Sequence, residues 1–143
     1  MEEPTFGIGT GSGGGEKYAA VPSDVYIAEL VEYEFADIQF RTETEAKPRI
    51  VLTFQIVAGE EAGSRVKRIV GRPSKNMVPR HTLWSVTEAL LQVDPTTLTT
   101  FKVADLLHKR CKIVVKTQVG DDGLEWSKIT DFMQYKPKQA ADI

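Results

Sequence analysis

The sequence predicts a mainly β domain, a five-stranded Greek-key barrel with one helix between its third and fourth strands. Three observations carry that expectation. Apolar and polar residues alternate in five separate stretches. Gly- and Asp-rich turns join the second stretch to the third and the fourth to the fifth. Only one stretch, after the third strand, has apolar residues at helical spacing.

The first strand is Val25–Phe35. Strict alternation puts Val25, Ile27, Val31, Tyr33 and Phe35 on one face, with Tyr26, Ala28 and Leu30 on the other, which turns acidic at Glu32 and Glu34. Residues 36–49 are polar, contain Pro48 and read as a loop. Ile50–Val57 is the second strand, with Ile50, Leu52, Phe54 and Ile56 on one side and Val51, Thr53, Gln55 and Val57 on the other. Gly59 and Gly63 flank a hairpin turn into the third strand, Ser64–Val70. Gly71–Pro79 is a loop rich in helix breakers.

The helix is expected over His81–Val93, with Leu83, Val86, Thr87, Leu90 and Leu91 at helical spacing and Trp84 bordering that stripe. Asp94-Pro95 ends it. A second short helix is expected over Val103–Lys109. In the fourth strand, Cys111–Val119, Cys111, Ile113, Val115 and Thr117 alternate with Lys112, Val114 and Lys116. Residues 120–123 make a turn into the fifth strand, Trp126–Phe132. Residues 1–24 form a Gly-rich tail and 136–143 a polar one, which leaves one domain over 25–135. This order of elements is that of an OB-type barrel.

Composition narrows the functional classes. The chain of 143 residues has one cysteine, Cys111, so neither an internal disulfide nor a cysteine zinc cluster is available. No apolar run reaches membrane-spanning length and no signal-peptide pattern stands at the start, so a cytoplasmic setting without membrane contact is expected. Gly9, Gly11 and Gly14 spell G-x-G-x-x-G, but without a strand before or a helix after, which marks a tail and not a dinucleotide loop. His81 and His108 lack zinc-ligand spacing. No serine or cysteine has a nucleophile-elbow context, and Cys111 reads as a small buried apolar residue. The expectation is a binding protein that needs no metal or cofactor, not an enzyme.

Net charge is −2, yet the charge is unevenly spread. Residues 1–63 hold 4 Lys/Arg against 12 Asp/Glu, and residues 64–143 hold 14 against 8. Between Ser64 and Thr87 there is no acidic residue but Arg65, Lys67, Arg68, Arg72, Lys75 and Arg80. Such asymmetry suits a polyanion-facing surface or, alternatively, a face neutralised by the acidic first half. Single-strand binders combine a basic groove with aromatic rings for base stacking. In OB folds that surface lies on strands two and three and on the loops joining strands one to two and four to five. The residues expected to meet nucleic acid are Tyr26 and Tyr33 on strand one and Arg41, Lys47 and Arg49 on the first loop. Arg65, Lys67, Arg68, Arg72 and Lys75 follow on and after strand three, then Lys112 and Lys116 on strand four and Trp126 on strand five.

Four segments stand out together: PSDVYIAELVEYE, IVLTFQIVAGEEAGSRVKRIV, LWSVTEALLQV and LLHKRCKIVVKTQVGDDGLEWSKITDF. They resemble a family of small phage-encoded proteins, often described as domains of unknown function and placed among single-stranded DNA-binding proteins. The family habit is an entry Pro-Ser-Gly-x-Tyr, a hairpin ending in Gly-Arg and a late strand G-K-x-C-x-V-x-V. Here Asp24 stands for the entry Gly, Ser64 is inserted between Gly63 and Arg65, and Lys109 stands for the Gly of the late strand. The resemblance spans about residues 20–135. It implies a sequence-tolerant coat protein for single-stranded DNA in phage replication or recombination, acting in the host cytoplasm with replication or recombination proteins. Self-association is compatible with it. The competing expectation is a virion-assembly, inhibitor or other protein-interaction module that binds no nucleic acid.

Overall fold

The computed structural model describes residues 19–73, 77–79, 81–97 and 102–135. The Gly-rich motif, Lys75, Arg80 and the C-terminal tail lie outside the described residues.

The chain is mainly β: a five-stranded antiparallel sheet and one α-helix, consistent with a small barrel-like fold. The strands are β1 (Asp24–Ile38), β2 (Lys47–Ile56), β3 (Arg65–Gly71), β4 (Arg110–Val119) and β5 (Glu125–Gln134). The helix α1 spans Thr82–Leu91, and short 3-10 turns cover Pro95–Thr97 and Val103–Leu106. The sheet order is β3-β2-β1-β4-β5. Long β1 is shared: Asp24–Glu29 pair with β4, and Ala28–Ile38 pair with β2.

That sharing corrects the reading of strand one. Leu30 lies opposite Phe54, but Glu32 lies opposite Thr53, so Val31 is an extra residue in a β-bulge. The bulge reverses the phase of the alternation. Ala28 and Leu30, not Ile27 and Val31, enter the core, and beyond the bulge Tyr33 and Phe35 join their side opposite Leu52 and Ile50. Strict alternation could not foresee this, because a bulge is set by the partner strands and not by the local sequence. β1 also continues to Ile38, through residues read as a loop.

The core is formed by inward residues of every strand, chiefly Leu30, Ile50, Leu52, Phe54, Ile113 and Ile129, with Leu83, Val86 and Leu90 of α1 packed on them. Phe54 and Phe132 meet with ring centroids 5.5 Å apart. Cys111 is buried there, and burial pushes its thiol up to about 12, so it is packing material, as the alternation predicts. α1 is shorter than expected because Gln92 turns left-handed, with φ of 57°. The second helix shrinks to one 3-10 turn because Leu107 is extended and His108 left-handed, with φ of 67°. Val21, in the segment read as tail, is buried, and Ser127 Oγ accepts its backbone N–H at 2.8 Å.

The sheet's two edges, β3 and β5, come into contact without forming a hydrogen-bonded ladder. Arg68 bridges them. It shares the inward face of β3 with Val66 and Val70, and its Nη1 donates to the carbonyl of Ile129 at 2.9 Å. Its Nε is buried without a partner among the described residues, and burial lowers its pKa. Arg68, expected at a nucleic-acid surface, is thus a seam residue. Arg68→Ala should cost about 1.5–3 kcal/mol, the range for a hydrogen bond from a charged donor. Amide exchange should accelerate selectively in β3 and β5. Exchange that stays unchanged along both strands would remove Arg68 from the seam.

Candidate nucleic-acid interface

The expected site residues fall into three groups. The first is held by acidic or core contacts. Arg49 lies in β2, not in the loop, and is buried. Its guanidinium grips both carboxylate oxygens of Glu43, donates to the Ile38 carbonyl and lies 3.8 Å from the centre of the Phe40 ring. Lys47, also in β2, adds its ammonium to Glu43 at 3.6 Å. The side-chain bond from Arg49, then the backbone N–H of Phe40, holds the Glu43 carboxyl down at about 2. Arg65 donates to Glu32 at 2.8 Å and to Gln55 at 3.1 Å. Arg41 meets Asp121 at 2.6 Å, which ties the tip of the β1–β2 loop to the β4–β5 turn. Both partners of that bridge are 84% exposed, so it is a weak clasp. Tyr26 is half-buried and donates its hydroxyl to the Pro22 carbonyl, and desolvation first, then Glu61 and Asp24, raises its pKa.

The second group is a small aromatic end of the β1–β2–β3 side. Phe35 stands on the inward side, opposite Ile50, yet is exposed because the core ends there. Tyr33 packs its edge on Phe35 at 5.6 Å, and the Arg72 guanidinium stacks 4.7 Å above the same ring. Lys67 lies on the outward face opposite Thr53.

The third group is the outer face of β4 and β5. The turn at 120–123 sets its register: Gly120 N–H bonds the Leu124 carbonyl at 2.9 Å, and Gly123 takes a φ of 79°. Lys116 then falls directly opposite Lys128, and Gln118 opposite Trp126. Trp126 is 44% exposed. Lys112 lies further along the same face of β4. Among the described residues, no hydrogen bond or ion pair engages the ammonium groups of Lys112, Lys116 or Lys128. The inner side of this arm is covered, since Thr117 and Ser127 both hold Val21.

Lys128 was missed by the sequence reading. Counting outward from the predicted turn at 120–123 pairs residue 119 with 124 and so sets Ser127 opposite Lys116; in the structure Gly120 itself pairs with Leu124, and that shift of one residue brings Lys128 opposite Lys116. Like charges directly opposite in a sheet destabilise it, on the order of 0.2–1 kcal/mol. The pair therefore favours any anion that bridges it.

Among the described residues there is no cluster of three or more His, Cys, Asp and Glu side chains that could hold a metal, and no helix is long and apolar enough to cross a membrane. No protein-family model matches the chain, and no curated protein matches it.

The Glu43 carboxyl titrates far below its ordinary value of 4.5 in the folded protein. A depressed carboxylate contributes stability above its unfolded pKa, and that contribution is lost as pH falls toward the folded value. Glu43→Gln should therefore lower stability at neutral pH and flatten the decline between pH 4.5 and about 2, read by chemical denaturation across that window. An unchanged pH profile in the variant would show that Glu43 is not the group responsible.

Proposed function

We propose that this chain is a sequence-tolerant single-stranded DNA-binding protein with an OB-type barrel, of the kind that serves phage replication or recombination in the host cytoplasm. The single observation that supports it most is the Lys116–Lys128 pair beside exposed Trp126. Two adjacent ammonium groups that no carboxylate pairs among the described residues, next to an exposed indole, match the two terms of single-strand binding. Those terms are phosphate neutralisation and base stacking. The sheet order also fits an OB barrel, in which β1 pairs with both β2 and β4 and the helix lies between β3 and β4. The Arg41–Asp121 contact brings together the two loops that flank an OB binding face. Phe35 with Arg72 offers a second ring at which a base could stack, once the guanidinium turns to a phosphate.

The reading shifts the weight of the interface. The acid-free run of the sequence suggested β3, but Arg65 and Arg68 have structural partners there. Lysines on β4 and β5 carry the proposal instead.

The test is fluorescence anisotropy with a labelled poly-dT oligonucleotide at two or more salt concentrations, competed with duplex. Binding should weaken steeply with salt and resist duplex. Lys116→Gln with Lys128→Gln should weaken it and make the salt slope shallower by about 1.4, at roughly 0.7 per phosphate contact on a single strand. The same double variant should gain thermal stability, since a like-charge pair is removed. Trp126→Ala should fold normally and lose about 1–3 kcal/mol of affinity. Failure of the wild-type chain to bind at low salt would overturn the function. Full affinity in the lysine variant would overturn this face as its site.

A further inference from the structure

The outer face of β1, β4 and β5 breaks the rule of its sheet. An antiparallel sheet with one face on a core normally turns polar residues outward. Across these three strands the register sets two rows side by side. One row is Val25, Val114 and Asp131; the next is Ile27, Lys112 and Met133. Four of the six outward positions are apolar. Val25 is 47% and Met133 39% exposed, and Ile27 and Val114 are half-buried by their neighbours. Scattered exposed apolar residues need no explanation, but a contiguous block on a sheet face marks a surface meant to be covered.

The two charges in this block indicate what covers it. Lys112 and Asp131 are diagonal neighbours on adjacent strands. They are not joined to each other in the chain. One Asp131 oxygen accepts the backbone N–H of Phe132 at 2.8 Å, and Lys112 is exposed. The β-bulge at Thr130, whose hydroxyl bonds the Val114 carbonyl at 3.3 Å, fixes where Asp131 leaves the strand. A two-fold axis lying in the face and passing between the two charges would set each Lys112 over the Asp131 of the other copy. The apolar residues of both copies would then close on one another. One patch that carries both halves of its own charge complement is what an isologous interface requires.

We propose that this face is a self-association surface through which two copies of the chain pack sheet on sheet, with reciprocal Lys112–Asp131 pairs across an apolar centre of Val25, Ile27, Val114 and Met133. The patch spans three strands and two rows, which is smaller than an obligate dimer interface. The association is therefore a concentration-dependent monomer–dimer equilibrium. It does not depend on the proposed DNA binding and is measured without nucleic acid.

The experiment is sedimentation equilibrium of the full chain from low micromolar to near-millimolar concentration, with far-UV circular dichroism melts to confirm folding of every variant. The wild-type chain should dimerise. Lys112→Asp alone and Asp131→Lys alone should each weaken dimerisation by about tenfold or more, since each sets like charges together twice per dimer. The double exchange, Lys112→Asp with Asp131→Lys, should restore it. Val114→Lys should abolish it with the fold intact. A wild-type chain that stays monomeric throughout, single variants that dimerise normally, or a double exchange that fails to recover would each overturn the proposal. Loss of DNA binding with the dimer retained would instead sink only the functional reading.

Discussion

The bulge at Val31 is the constraint on which the rest of the sheet depends. β1 must serve β4 with its first residues and β2 with its last, and only two residues, Ala28 and Glu29, face both partners. Without the extra residue, the alternation that buries Ala28 and Leu30 would carry Glu32 and Glu34 inward and turn Tyr33 and Phe35 outward. A one-residue change of register flips a whole strand in this way, and burying two carboxylates without partners would cost far more than the bulge. The bulge is held from outside β1. Leu30 gives its N–H to the Lys109 carbonyl at 3.1 Å and accepts the N–H of His108 at 2.7 Å. Left-handed His108 makes that approach, and Glu29 receives both His108 and Arg110 beside it. The bulge, the unusual backbone at His108 and the start of β4 form one unit.

This explains which parts of the fold the sequence made legible. Where a strand keeps its phase, alternation reads the structure directly: Ile50, Leu52, Phe54 and Ile56 face the core, as do Cys111, Ile113 and Val115. The hairpins were legible because their glycines sit where left-handed backbone is required, at Gly59, Gly63 and Gly123. The interior phase of β1 was not, because it is decided by long-range partners. Arg68 was legible in principle, since it alternates with Val66 and Val70. Its charge drew the eye outward, while its position placed it on the inner side of the seam. Arg49 shows the same conflict, resolved by Glu43 and Phe40 lying within reach in the β1–β2 loop.

Charge in sequence and charge on a surface differ for the same reason. The acid-free run beginning at Ser64 looks like a basic patch only while its neighbours in space are ignored. β3 lies against β2, and beyond β2 stands the acidic outer row of β1, so Arg65 finds Glu32 across the sheet. The lysines of β4 and β5 are fewer and scattered through the sequence. Pairing those two strands brings Lys116 to Lys128, while Glu32, Glu34 and Asp37 of β1 pair with β2. Among the described residues, no ion pair takes up these two ammonium groups. Sheet topology, more than composition, selects the surface that suits a phosphate backbone.

The outer face of β4 and β5 is then a surface unfinished in two ways. Toward the turn it carries two like charges side by side, and away from the turn it carries apolar side chains that the sheet does not need for its own core. Each feature costs the isolated chain something, through repulsion in one case and exposed apolar area in the other. Neither cost is forced by the fold, because the buried face of the same strands is already complete with Cys111, Ile113, Val115, Ile129 and Phe132. Features that burden the lone domain, are not required by its core and lie together on one face are explained most economically by what that face meets: an anion at one end and an apolar, charge-matched surface at the other.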